Sequence, residues 1–262
     1  DATVLEAHIG LEDTGVVDDQ RILSSDKAKA AGSNAVDGEA LARADLVLAR
    51  SKAAAASFES VSPVPIHVLP DACEFYEARR RRPPDLEEAA GPIVGCVGNL
   101  RSRSDLALLE ELVAKRPSWT FVVIGSLHGS SDILRLRAYP NLRLLGPKIY
   151  EDALDYMRCF DVAIMLGRSN AISKDVIFPT LYVYAALGIP VIATNRSITD
   201  DLRTRIELAG TSQEFLAKLD STIARHGVVG PNRRPPPDEL WPICWQNNTT
   251  NFVDLCRQSL EG

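Results

Sequence analysis

"FPTLYVYAALGIPVIAT" (residues 178–194) reads as a short helix, a stop at Gly188 and a buried strand. Working outward from it, the same grammar recurs. "PIVGCVG", "TFVVIGS", "NLRLLGP" and "DVAIML" are short apolar runs. Between them lie "SDLALLEELVAKRP", an amphipathic helix with Ser104 expected as its N-cap, and the helix "YEDALDYMRCF". "TSQEFLAKLDSTIARHG" adds a helix with Phe215, Leu216, Leu219 and Ile223 on one face. Short apolar strands alternating with helices predict a parallel sheet with crossover helices on both faces. The fold class is therefore α/β: a Rossmann-like domain over residues 91–245, joined to a partial N-terminal α/β region over 1–80.

The N-terminal region is clearest at "ALARADLVLARSKAAAASFES", which reads as a strand at 45–49 and a helix capped by Ser51. "VPIHVLPDA" is a further short strand. Residues 81–90, within the charged and Pro-containing "EARRRRPPDLEEAAGP", read as a linker. The run Arg79–Arg82 suits phosphate or anionic lipid, or simply a solvated face beside Asp85, Glu87 and Glu88. The chain closes in a C-terminal helix, placed at 246–262.

With 262 residues, a net charge of -6 and 24% charged residues, the chain is an ordinary acidic globular protein, and nucleic acid is excluded as a partner. The five cysteines are odd in number and form no C-x-x-C pair, which argues against metal ligation or a disulfide framework. Reduced thiols and a cytoplasmic location follow, and no apolar run reaches the length of a membrane span.

In an open parallel sheet, ligands bind beyond the C-terminal strand ends. Three connections are predicted there. In "GCVGNLRSRSD", Gly98 permits close approach, the next helix offers N–H groups, and Arg101 and Arg103 suit a diphosphate. A tight turn with two solvated arginines is the plain alternative. "IGSLHGSSD" supplies Ser126 and a lone His128. "LGRSNAISKDVIFPT" is rich in donors and acceptors, as a polyhydroxylated ligand requires, and it leads into the opening stretch.

These pieces together resemble the C-terminal, donor-binding domain of retaining GT-B glycosyltransferases. The likeness rests on "GPIVGCVGNLRSRSDLALLEELVAKRPSWTFVVIGS", "YPNLRLLGPKIYEDALDYMRCFDVAIML" and "LYVYAALGIPVIAT", with "ARADLVLARSKAAAASF…PIHVLPDACEF" as the end of the N-terminal domain. It covers roughly residues 40 to 260. The resemblance implies a hexosyltransferase that moves a sugar from a nucleotide-sugar donor to a glycan or lipid-linked acceptor in polysaccharide biosynthesis. It implies no metal and no cofactor beyond a donor such as a UDP- or GDP-sugar. Contact with the inner face of the membrane is admitted. Counting back from Gly188, the family's ribose-binding Glu falls on Val183, its Lys on Thr180 and its sugar-side acid on Asp175. Asp175 matches and is the candidate catalytic residue. Gly98, Asn99, Arg101, Arg103, Ser126, Thr180, Leu181 and Val183 are the candidate donor contacts, Asn99 and Ser104 standing where the family has its basic pair.

Family enzymes work in a cleft between two comparable domains. About 80 residues precede the donor-like domain here, so an acceptor half is expected from an upstream domain or a partner chain. The final helix is expected to return to the first domain, anchored by Trp241 and Trp245. A valine cannot accept hydrogen bonds from ribose hydroxyls. That departure supports a competing reading, a non-catalytic module that binds a partner or scaffolds a larger polysaccharide-synthesis protein. A sugar-nucleotide epimerase of the same fold is a third reading, with no acidic catalytic cluster to support it.

Overall fold

The computed structural model describes residues 4–8, 23–24, 41, 44–49, 52–60, 62–70, 72, 82–98, 105–126, 132–167, 179–194, 206–228 and 244–261. The chain divides into two compact units: Asp1–Glu74 with Asp175–Pro179 and Trp241–Gly262, and Phe75–Lys174 with Thr180–Leu240.

The first unit is built on a parallel sheet of β1 (Val4–His8), β2 (Leu23–Ser24), β3 (Leu46–Ala49) and β4 (Ile66–Val68), in the order β2-β1-β3-β4. β3 is buried at all four positions, as its unbroken apolar run requires. Helix α1 (Lys52–Phe58) follows, and Phe58 packs with Leu41, Ala44 and Val47.

The second unit begins its described part at residue 82. A single 3-10 turn, Pro84–Leu86, sinks Leu86 completely, and the Thr120 hydroxyl donates to Ala90 O at 2.9 Å. The charged segment expected as a linker is thus fastened to this unit at both points. There follow β5 (Ile93–Val97), α2 (Leu106–Lys115), β6 (Thr120–Ile124), α3 (Asp132–Leu136), β7 (Leu142–Gly146), α4 (Tyr150–Met157), β8 (Val162–Met165), α5 (Pro179–Ala186), β9 (Val191–Thr194), β10 (Ile206–Ala209) and α6 (Ser212–His226). All pairings are parallel, in the order β10-β9-β8-β5-β6-β7. The Rossmann-like sheet expected from the alternating pattern is present.

Alternate strand residues serve different faces. Val94, Cys96, Phe121, Val123, Val162 and Ile164 join one core with Leu109 and Leu112 of α2 and Phe215 and Leu219 of α6. Of the four residues expected to share a face of α6, Phe215, Leu216 and Leu219 are buried there and Ile223 packs at the margin. Gly95 points the other way, where the fully buried Phe160 ring lies against its backbone. The chain reverses direction across the sheet between β7 and β8.

Several elements fall outside the sequence expectation, among them β1, β2, β10 and α3. β10 is an edge strand with only its two end residues buried, too weak a pattern to read. α3 has five residues after a polar loop. The cap of α2 is also displaced by one position. Asp105 takes it, accepting the Leu108 N–H at 3.0 Å, because its carboxylate reaches the third helical amide from there.

The last helix, α7 (Trp245–Glu261), belongs to the first unit. Its anchor is polar: the buried Asn248 donates through Nδ2 to Pro70 O at 2.6 Å, next to the fully buried Cys244. Trp245, expected to anchor this return, is 52% exposed. Trp241 lies outside the described residues. Among the described residues no helix is long and apolar enough to cross a membrane.

Two predictions follow from this packing. A Cβ at Gly95 would lie 1.9 Å from a Phe160 ring carbon. G95A is therefore expected to destabilise the protein by about 3 kcal/mol in urea unfolding, with part of the loss recovered on adding F160L. Burial pushes the Cys96 thiol up to about 12 and the Cys159 thiol to about 11. A folded pKa above the unfolded one gives stability that is complete below the unfolded value, about 9 for a thiol, and is lost as pH rises through the folded value. Thermal midpoints are thus expected to fall between pH 9 and 12, with a shallower slope in C96A.

Candidate functional site

In the strand order β7-β6-β5-β8-β9-β10, sequence-consecutive strands run outward in opposite directions from β5 and β8. The topological switch point therefore lies between those two strands, and the crevice beyond their C-terminal ends is the expected ligand position. On the β5 side stands Gly98, with φ +145, a conformation that favours glycine. Its N–H donates to Ile124 O at 2.9 Å, and among the described residues a Cβ there would meet nothing within 4 Å. With respect to those residues the space over Gly98 is open, as close approach of a ligand needs. Ser126, half-buried, follows the end of β6.

On the β8 side the backbone is drawn to β9 by one hydroxyl. Thr194 Oγ1 accepts from Gly167 N–H and donates to Gly167 O, each at 2.9 Å. The crest between β8 and β9 is fixed without a bulky side chain.

Helix α5 lies behind this crest. It is apolar all round, and Leu181, Tyr182, Val183, Tyr184 and Ala186 are all buried. The fully buried Tyr184 accepts the Val97 N–H at 3.1 Å, which joins α5 to the end of β5. Desolvation of that phenol drives its pKa well above the ordinary value. Thr180 is half-buried at the start of the helix. Val183, at 8% exposure, is a packing residue in this arrangement. Asn99, Arg101, Arg103, His128 and Asp175 lie outside the described residues.

Beside α2 and α6 the described part of the edge carries Asp105 and the ion pairs Glu111–Lys115 at 2.5 Å and Glu214–Lys218 at 2.7 Å. A cavity of about 270 Å³ opens between the two helix N-termini, walled by Asp105, Glu111, Thr194, Thr211 and Ser212. Hydrogen bonds from Lys115 and then Ser212 hold the Glu111 carboxyl below its ordinary range. Thr211 Oγ1 accepts the Glu214 N–H at 3.1 Å, and Glu214 returns to the Gly210 N–H at 2.8 Å, a capping box on α6. Both helices are therefore capped by their own side chains. One of the N–H groups expected to await a diphosphate on α2, that of Leu108, is already taken by the Asp105 carboxylate, which repels an anion. Sequence reading missed that effect because Ser104 and Asp105 are both good caps, and only one is charged.

No protein-family profile matches this chain. Over 144 residues, 53% of its length, it is 24% identical to the Bacillus subtilis (strain 168) protein named "Putative teichuronic acid biosynthesis glycosyltransferase TuaH". That match takes in 36% of the relative, so the chain spans about a third of the curated protein it resembles. Among solved structures, a glycosyltransferase from Rickettsia africae ESF-5 superposes with TM-score 0.64 at 14% identity, over 92% of this chain and 68% of that one. The pneumococcal O-GlcNAc transferase GtfA, solved with UDP and GlcNAc, gives 0.62 at 13% identity, over 94% of this chain and 50% of that one. Anabaena Alr3699/HepE, solved with UDP-glucose, gives 0.55 at 19% identity, over 86% of this chain and 65% of that one. The six-stranded parallel sheet and these neighbours define the fold as that of GT-B glycosyltransferases.

The burial of Val183 generates a prediction. V183E places a carboxylate among apolar neighbours and is expected to cost about 2 kcal/mol or more in chemical unfolding, while V183I is tolerated. Equal stability of V183E and the parent would mean that position 183 faces open space.

Proposed function

We propose that the protein is a glycosyltransferase that moves a sugar from a nucleotide-sugar donor to a glycan or lipid-linked acceptor in polysaccharide biosynthesis. One observation carries the reading: an open glycine crest at the β5–β8 switch point, in a fold shared with proteins solved with UDP and with UDP-glucose. The donor diphosphate lies against Gly98 and Asn99, with Arg101 and Arg103 supplying positive charge beside the Asp105 carboxylate. Asp175 serves the sugar as the catalytic residue. Thr180, Leu181 and Val183 support the donor through the start of α5, and Ser126 borders it from β6. Transfer is of a hexosyl group with retention, proceeds without a metal, and rests on donor positioning and diphosphate stabilisation. The acceptor comes from a further domain or chain, at the cytoplasmic face of the membrane.

The second reading, a non-catalytic binding module, is favoured by one specific observation. A buried valine occupies the position of the ribose acid, and no hydroxyl of a ribose can be gripped by it. Calorimetric titration with UDP, GDP and their sugar conjugates separates the two. The enzyme reading expects sub-millimolar binding of at least one, and binding weaker than millimolar for all of them leaves only the module. R101A and R103A are each expected to weaken that binding about tenfold, the loss of a charge-assisted hydrogen bond. Turnover is expected to survive EDTA.

A further inference from the structure

A second polar cluster lies in the same unit and has no part in the reading above. Tyr156, in the last turn of α4, is buried, and its hydroxyl donates a short hydrogen bond to Asp85 Oδ2 in the 3-10 turn. Lys148, two residues before α4, holds its ammonium 5.4 Å from the centre of the same ring. That is within cation–π range, about 6 Å. One ring therefore joins the turn at 84–86 to the connection between β7 and α4, 71 residues apart along the chain at the hydrogen bond.

That connection lies on the ligand edge of the sheet, since it leaves the C-terminal end of β7. It is also conspicuously open: Ile149 is 66% exposed and Tyr150 51%. Of the basic residues described on the connections at this edge, Lys148 is the one present. Its side chain is not needed to pack α4, whose inner face is supplied by Ala153, Leu154 and Met157. A lysine held over a ring gives up side-chain entropy that a solvated one keeps. Burial first, and then the Asp85 bond, push the Tyr156 hydroxyl up to about 12, so it stays a donor at neutral pH.

We propose that Tyr156 is a positioning residue for the nucleotide-sugar donor: tied down by Asp85, it holds Lys148 and with it the β7–α4 connection in the form that meets the donor. The proposal rests on the glycosyltransferase reading, and it assigns Tyr156 no contact with substrate.

The test uses the whole chain and two readouts, one of them independent of ligand. Hydrogen exchange across residues 147–150 is expected to quicken in Y156L and in D85N, and less in Y156F, which keeps the ring. Calorimetry with UDP and GDP is expected to show Kd raised about twofold to fivefold in K148A, restored in K148R, and raised at least as much in Y156L. If Y156L does not fold, D85N and K148A still decide the matter, because both leave the packed face of α4 intact. Unchanged exchange at 147–150 in D85N overturns the brace. Faster exchange with unchanged nucleotide affinity overturns its role in donor positioning. A parent chain that binds neither nucleotide overturns the glycosyltransferase reading and the donor role with it, while the exchange data still judge the brace.

Discussion

Asp161 and Ile93 exchange two hydrogen bonds at the base of the central strands: Ile93 N–H to Asp161 Oδ2 and Asp161 N–H to Ile93 O, both 2.8 Å. Asp161 is 1% exposed, so its carboxylate survives burial only by accepting bonds of this kind. The constraint matters because β5 and β8 are neighbours in the sheet but far apart in sequence. Their ladder is short, pairing Val94 with Val162 and Gly95 with Ala163. Directly above, Gly95 yields its side-chain volume to Phe160. A buried carboxylate at one end and a missing Cβ in the middle thus bring the two strands together. The crevice at their far end exists only because they are adjacent.

Among the described residues, what that crevice offers is mostly backbone. Gly98 and Gly167 contribute no side chains, Thr194 spends its hydroxyl on Gly167, and Tyr184 spends its own on Val97. On the neighbouring helices Asp105 caps α2, Glu111 is paired with Lys115, and Glu214 is paired with Lys218 and engaged in its own cap. A helix N-terminus attracts anions, but a carboxylate already seated on it cancels much of that field.

Strands β5, β6, β8 and β9 are legible because each is a short, unbroken apolar run buried along most of its length. β10 was not, since an edge strand needs only one buried side and its Glu207 breaks the run. The α2 cap was misplaced because Ser104 and Asp105 are adjacent and equally suited by type. The return of the last helix is expected from tryptophans, but Trp245 faces solvent and the described anchor is the Asn248 amide, which satisfies Pro70 O. Of the candidate site, the order of the connections and the glycine at Gly98 were readable. The charged surroundings were not, because they arise from α2 and α6 meeting in space.

The opening stretch, 178–194, now separates into two functions. As a frame it is self-sufficient: α5 buries Leu181, Tyr182, Val183 and Tyr184, and the Tyr184 bond to Val97 sets its position against β5 with no help from a ligand. An acid at 183 would have to face a ligand or water, whereas valine lets the helix close on the protein interior. Position 183 therefore serves the frame. A chain of this kind keeps a GT-B fold under either reading of its function, so nucleotide binding, and not stability, is the property that distinguishes them.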